Sequence, residues 1–211
     1  MTQSLPQITL YDYWRSSASY RLRIAFGLAG LPFEAISVDL LAGDHKAPDN
    51  MARNPQGLVP SVQIDDHTLT QSLAIIEYLS EAGYAHFLPR APLDRAHVRA
   101  LSYAVAMEIH PVCNTSVATY ASTHSEEITM QSWMQVFIPK GLAGLEGMLN
   151  QSGTYAFGDT VTMADICLVP QLYNAKRWEV DLTPFPKIRA IDDNLQKLEA
   201  VKAAHPDNFQ P

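Results

Sequence analysis

Two adjacent serines, Ser16 and Ser17, follow an arginine in the stretch Tyr13-Trp14-Arg15-Ser16-Ser17-Ala18-Ser19-Tyr20-Arg21. Upstream, Ile8 and Leu10 alternate with Thr9 and Tyr11, the period-two pattern of a strand. Downstream, Leu22, Ala25, Phe26 and Ala29 recur at helical spacing. The serines therefore stand at a helix start, where unpaired backbone N–H groups and the positive end of the helix dipole stabilise an anion. Hydroxyls at such a point can do two things. They can cap the helix, with Ser16 or Ser17 accepting a hydrogen bond from an N–H two or three residues on. They can also hold a thiolate, because a hydroxyl donor and the helix field together favour ionised sulfur. Arg15 places a cation beside the turn.

A second candidate for binding a carboxylate is Gln71-Ser72, just before the apolar run Leu73 to Leu79. Ser72 is the expected N-cap there, and the same helix-end argument applies. In the stretch Asn54-Pro55-Gln56-Gly57-Leu58-Val59-Pro60 and onward, Val62 and Ile64 alternate with polar neighbours. Asp65-Asp66 turns the chain and His67 to Leu69 returns it, which describes a hairpin. Pro60 has no N–H and opens this strand, so it belongs at an edge or in a cis bend. An edge would leave the Val59 backbone free to pair with a peptide-like ligand; a turn proline is the simpler alternative.

The elements that must position these residues follow from the same patterns. Gly30-Leu31-Pro32 stops the first helix, and Phe33 to Leu40 supplies a second strand. Strand, helix, strand without a hairpin turn implies parallel pairing through a crossover. Ala42 to Asn54 is expected to be a loop with a short irregular helix. Residues 1–84 thus form an α/β unit, 85–94 a linker with Pro89 and Pro92, and 95–211 an all-helical half. In that half Val98, Leu101, Val105, Ile109 and Val112 mark one apolar stripe, and Ile138, Leu142, Leu145 and Leu149 another. Pro111 and Pro139 should kink or divide these helices. Thr162 and Asp165 suit a capping box, with Val161 stapled to Ile166, before a helix apolar nearly all round that should be central. A last helix is expected from roughly Lys187 to Ala203.

The 211 residues are 47% hydrophobic and 18% charged, enough for a proper core without staples. The formal charge is −7 and the basic residues are scattered, which argues against a nucleic-acid partner. No apolar run reaches spanning length and the leader carries no signal pattern, so no membrane partner is expected. Cys113 and Cys167 are the two cysteines, which excludes a disulfide framework and suits a reducing, cytoplasmic setting. His110 and Cys113 stand three apart, but no third ligand at metal spacing accompanies them, so no metal is expected.

Ser-Ser at the first helix, Val59-Pro60 before a hairpin, Gln71-Ser72 at a helix start and an all-helical second half together resemble cytosolic glutathione transferases. In detail the chain is similar to the zeta class, which includes maleylacetoacetate isomerases. The similarity lies in Tyr13 to Arg21, Gln71 to Leu79, Val161 to Gln171 and Val180-Asp181-Leu182-Thr183-Pro184. The resemblance implies a thioredoxin-like first domain, a helical second domain, glutathione as cofactor and a homodimer. By position, it implies catalytic roles for Ser16, which would hold the glutathione sulfur, and for its neighbour Ser17. Val59 would pair through its backbone with the cysteinyl part, Pro60 would be cis, and Gln71 and Ser72 would take the γ-glutamyl end. Gln56 would add a contact, and His110 and Asn114, one helical turn apart, would contribute from the second domain. Where the class signature has cysteine, this chain has Ala18.

The activity implied is isomerisation of a cis double bond conjugated to a carbonyl and flanked by carboxylate. Such a dicarboxylate needs cations, supplied by Arg15 and by Arg177, which corresponds to an arginine that the family uses near its substrate. The alternatives are maleylpyruvate as substrate, a general transferase or dehalogenase using the same thiolate on another small electrophile, and a non-catalytic glutathione- or partner-binding protein.

Overall fold

Along β1 (Ile8–Asp12) the alternation turns Ile8, Leu10 and Asp12 inward and leaves Thr9 and Tyr11 half-buried. In this computed structural model, which describes residues 5–150 and 152–211, the chain forms two units. One comprises Met1–Phe87 with Leu198–Pro211, the other Leu88–Lys197.

In the first unit β1 pairs parallel with β2 (Glu34–Ser37), Thr9 opposite Glu34, through α1 (Ser17–Ala29). On its other side β1 pairs antiparallel with β3 (Ser61–Ile64), which forms a hairpin with β4 (His67–Thr70). The sheet order is β2-β1-β3-β4. The second strand, expected over Phe33 to Leu40, is regular over four residues only, and all four are exposed at the sheet edge. Val38, just beyond, is buried and its N–H still donates to Asp12 O at 2.7 Å. A short 3-10 turn, Asp44–Lys46, and α2 (Pro48–Arg53) fill the crossover to Asn54. Helix α3 (Ser72–Glu81) follows the hairpin.

Helix α1 ends at Gly30, whose left-handed backbone (φ 65°) lets the chain turn sharply, with Leu31 N donating to Phe26 O. Every residue from Ser19 to Phe26 is buried, because α1 packs against both α3 and a short helix from the chain end, α9 (Glu199–Ala203). A side chain at Gly27 would place its Cβ 3.2 Å from Ala200 Cβ, so glycine admits this close approach. The last expected helix, Lys187 to Ala203, is therefore two: α8 (Pro186–Leu195) ends, and the chain after Lys197 packs with the first unit. The assignment of all of 95–211 to the helical half differs from this arrangement, because the tail's apolar groups are covered by α1.

The second unit holds α4 (Pro92–Tyr103), continued by a π-turn over Ala104–Ile109, then α5 (Thr115–Thr123), α6 (Met130–Met148), α7 (Met163–Arg177) and α8. Pro111 falls between the π-turn and α5, where the chain divides as expected. Pro139 instead lies within the single helix α6. Its i−4 residue, Gln135, is exposed, so solvent can replace the donor that proline lacks. A Cβ on Gly141 of α6 would collide with Ile109 Cγ1, which explains how α6 and the π-turn approach so closely.

Helix α7 is buried from Met163 through Leu172 and packs against α4, the π-turn and α8. Its start is secured by Asp165, whose Oδ2 accepts from Thr162 N at 2.8 Å and Thr162 Oγ1 at 3.1 Å, while Oδ1 accepts from Ala156 N at 2.8 Å. Among the described residues no helix is long and apolar enough to cross a membrane.

Candidate active site

Beyond Asp12 the chain makes a turn closed by Ser16 N donating to Tyr13 O at 2.8 Å. Ser16 is the N-cap of α1, with extended backbone (φ −68°, ψ 120°), and its Oγ accepts from Ser19 N at 3.2 Å. A serine hydroxyl has two lone pairs and one hydrogen. Capping uses a lone pair and leaves the O–H to donate, so the two jobs open to this serine are compatible. Ser17 is the first helical residue rather than the cap, and its N–H and that of Ala18 belong to the turn that has no intrahelical acceptor. No acidic residue occupies this first turn, so nothing local opposes an anion placed there. Arg15 is exposed, with its guanidinium 4.0 Å from the Trp14 ring centroid.

A second group of candidates gathers around the loop before β3. The Val59-Pro60 bond is cis. Val59 is half-buried and precedes the β1–β3 ladder, which begins with Tyr11 opposite Ser61. β3 is interior, not an edge, so the bend is the alternative that holds. Buried Asn54 shapes the loop, donating from Nδ2 to Leu58 O at 2.9 Å and accepting from Gln56 N at 3.1 Å. Gln71 Nε2 donates to Gln56 Oε1 at 2.7 Å, bringing these two candidates together.

The N-cap of α3 is Gln71, and Ser72 is its first helical residue, one position from the expectation. Gln71 O already accepts from Ile75 N at 3.1 Å, so the helix starts one residue earlier. Gln71 has φ 68°, a backbone region that residues with a Cβ rarely adopt and that recurs where ligands are held. Ser72 is buried, and its Oγ accepts from Arg21 Nη1 at 3.3 Å. As at Ser16, an oxygen lone pair is engaged by the protein and the hydroxyl hydrogen remains to be donated.

In the second unit, His110 and Asn114 do not share a helix face. His110 ends the π-turn segment, the chain turns at Pro111 to Cys113, and Asn114 caps α5, its Oδ1 accepting from Ser116 N at 3.0 Å. The i, i+4 expectation fails because, although Cys113 N still donates to Ile109 O across Pro111, the chain leaves helical geometry at Asn114 (ψ 142°), which starts a new helix. Arg177 lies exposed in the last turn of α7, its guanidinium 5.7 Å from the Trp178 centroid and 6.0 Å from that of Tyr173. Cys113 is buried, and burial pushes its thiol up to about 11.

Comparison with known proteins places this arrangement. Residues 6–81 match the model of the glutathione S-transferase N-terminal domain, and residues 109–204 that of the C-terminal domain. A maleylacetoacetate isomerase from Rhizobium meliloti is 55% identical over 210 residues, covering 97% of this chain and 99% of that protein. The holo structure of a bacterial zeta-class maleyl pyruvate isomerase superposes with a TM-score of 0.90 at 40% identity, covering 96% of this chain and 98% of that one. The chain belongs to the zeta-class glutathione transferase family.

A maleylacetoacetate isomerase from Anaeromyxobacter dehalogenans, solved with dicarboxyethyl glutathione and citrate in its active site, is 38% identical with a TM-score of 0.86, covering 99% of this chain and 98% of that one. Three residues of this zeta-class chain escaped notice in its sequence. Arg21 reaches from α1 to the start of α3, Asn54 sets the loop before Val59, and Arg23 neutralises Asp12 beneath the Ser16 turn. For Arg23 a signal existed: the alternation that buries Ile8 and Leu10 also buries Asp12, and a buried carboxylate needs a cation.

Proposed function

We propose that the chain is a glutathione-dependent cis–trans isomerase of maleyl-type dicarboxylates. The observation that carries this is the pair of serines, Ser16 and Ser72, at two helix starts of one unit. Each has its oxygen engaged by the protein and its hydroxyl hydrogen left to donate to a negatively charged atom. That donor set fits a tripeptide with a thiolate and an α-carboxylate. Family membership and the ligands named for the relatives support the same assignment.

Ser16, with the N–H groups at the start of α1, would hold the sulfur as an anion, and Ser17 would stand beside it. Val59, ahead of cis Pro60, would pair through its backbone with the cysteinyl part. Gln71 and Ser72, with Gln56 bonded to Gln71, would take the γ-glutamyl end. His110 and Asn114 are the remaining candidate contacts. When bound, glutathione supplies a thiolate whose reversible addition to the conjugated double bond leaves a single bond free to rotate, and whose elimination restores the double bond as trans. The protein's part is to keep the sulfur ionised, orient it, and bind both carboxylates of the substrate through Arg15 and Arg177. Ala18 supplies no thiol, so the serine hydroxyl and helix start carry that task alone. The proposal includes a thioredoxin-like glutathione domain over residues 1–84, joined by the chain after Lys197, and a helical domain over the rest of 95–211. It also includes a homodimeric, cytoplasmic protein; family membership supports the dimer, and the free thiols of Cys113 and Cys167 suit a reducing compartment.

The test is to mix the purified protein with maleylacetoacetate and, separately, maleylpyruvate, and to follow the ultraviolet change with and without glutathione. Glutathione-dependent formation of a trans isomer is expected, and the faster substrate names the physiological one. Absence of conversion of both, with glutathione bound, would refute the isomerase and favour a transferase acting on another electrophile. Arg177→Ala should raise the KM for the dicarboxylate by about 10-fold or more, as loss of a charge-assisted hydrogen bond predicts. It should leave an uncharged electrophile nearly unaffected, and equal losses on both would remove Arg177 from substrate binding.

A further inference from the structure

The carboxylate of Asp12 lies in the core at the end of β1, and its Oδ1 is buried with no hydrogen-bond partner. Its Oδ2 accepts from Arg23 Nη1 at 2.6 Å, and the Arg23 side chain is itself wholly buried. The guanidinium does more than neutralise this charge. Nη2 donates to Trp14 O at 2.9 Å, within the turn that delivers Ser16, and Nε donates to Ala204 O at 3.2 Å, in the tail of the chain. The Phe209 ring centroid lies 4.5 Å from the guanidinium carbon, and that ring stacks on Phe33 with centroids 6.2 Å apart and planes at 7°. His205 meets Tyr20 edge-on at 6.3 Å, and Ala200 packs at Gly27. One planar cation thus spans the end of β1, the serine turn and the C-terminal segment, each from a different direction.

We propose that Arg23 is a positioning residue for the Ser16 turn, and that the C-terminal segment, through Ala204 O and Phe209, sets the geometry of that turn. The proposal rests on the assignment of Ser16 to the thiolate made above. A hydroxyl and two N–H groups stabilise an anion only while they converge on it, and displacement of such groups by about 1 Å can cost orders of magnitude in rate. Trp14 O is two residues from Ser16, so a guanidinium that holds that carbonyl restrains the turn. The tail holds the guanidinium from its far side. The segment that ends the chain therefore acts on chemistry at its beginning without supplying an atom to the site.

The test uses the full-length protein with Phe209→Ala and, separately, Arg23→Lys. Phe209 is half-buried and makes no bond to Asp12, so Phe209→Ala removes the ring's hold on the guanidinium without removing either partner of the Asp12–Arg23 pair. Lysine keeps a charge for Asp12 but cannot reach Trp14 O and Ala204 O at once, because it lacks the planar fork. Amide hydrogen exchange is read first, without glutathione. The amides of residues 13–19 are expected to exchange about 10-fold faster in both variants, as local opening near the turn becomes easier. With glutathione and a maleyl substrate, kcat is expected to fall about 10-fold and the bound thiol to titrate at higher pH, while the KM for glutathione changes little. Folded variants whose exchange quickens only in the tail, with kcat and thiol titration unchanged, would overturn the proposal and leave the network a purely stabilising one. A wild-type protein that binds no glutathione would refute the function, and the exchange at residues 13–19 would still decide the coupling.

Discussion

Replacing Ser16 with alanine separates the capping role that its hydroxyl has from the thiolate-holding role proposed for it. The cap is lost, because Ser19 N no longer has Oγ to donate to. An N-cap serine contributes about 1 kcal/mol, so the midpoint of thermal unfolding should fall by about 2–4 °C for a chain of this size. The proposed donor to sulfur is lost as well. A hydrogen bond to a charged atom contributes about 1.5–3 kcal/mol, and each pKa unit corresponds to about 1.4 kcal/mol, so the bound glutathione thiol should titrate about 1–2 units higher. The N–H groups of Ser17 and Ala18 remain, so ionisation is weakened rather than abolished. Near neutral pH, with the titration midpoint at or above the assay pH, the thiolate fraction falls by roughly 10- to 100-fold and kcat follows it. The Kd for glutathione rises much less, because the contacts proposed for Val59, Gln71 and Ser72 are untouched. The assay is a pH series of thiolate ultraviolet absorbance for the enzyme–glutathione complex, with kcat measured on the same samples. Ser17→Ala is the control, since it keeps the cap. A Ser16→Ala protein that melts lower yet keeps its thiol titration and kcat would reduce Ser16 to a cap. A larger loss in Ser17→Ala would move the sulfur to Ser17.

Two further predictions follow from buried groups. Burial raises the carboxyl of Asp165 above the ordinary carboxylate range, against the lowering effect of its hydrogen bonds from Ala156 and Thr162. Between its ordinary and raised values the folded protein therefore binds more protons than the unfolded one, and this group's contribution to stability declines as pH rises through that window. Asp165→Asn should cost about 2 kcal/mol by stranding an N–H at the start of α7, with the cost in denaturant titrations shrinking as pH rises; a cost that grows with pH would show the hydrogen bonds outweighing burial. Both cysteines are buried, and Cys113 titrates near 11 because of burial, so its thiolate is about one part in ten thousand at neutral pH. Iodoacetamide should leave both thiols unmodified by mass spectrometry until the protein is unfolded, and rapid stoichiometric alkylation of the native protein would contradict their burial.

The elements legible from sequence were those whose periodicity coincides with a single buried face. β1 and the β3–β4 hairpin meet that condition, since Ile8 and Leu10 alternate inward and Val62 and Ile64 do the same; α7, buried at every residue from Met163 through Leu172, was legible instead because it is apolar nearly all round. The capping box of Thr162 and Asp165 was legible because its interaction is confined to four consecutive residues. The end of the chain was not, because the apolar periodicity of Lys187 to Ala203 continues across Gln196–Leu198 while the partner changes from α7 to α1. Periodicity reports that a face is buried and carries no information on what buries it. The same limit explains His110 and Asn114: their spacing describes a face only if the helix is unbroken, and it ends where Asn114 turns extended to cap α5.

For the site, local chemistry was legible and its supports were not. Ser16-Ser17 and Gln71-Ser72 stand out because a helix start needs hydroxyls or amides whatever it binds, and the expected places are within one residue of the observed caps. Which serine caps depends on backbone angles, as the positive φ at Gln71 decides for α3, and side-chain types do not encode that choice. Arg21 and Arg23 were hidden for a different reason. Within a helix, arginine is ordinarily a solvated residue, and only the presence of layers on both sides of α1 makes these two internal. The inward parity of Asp12 still predicts that some cation must come to it, since a carboxylate left unpaired in the core would cost several kcal/mol. That cation comes from the helix that carries the serines. Charge compensation in the core and orientation of the turn are consequently one interaction, so substitutions at Asp12 should change the thiol titration as well as stability.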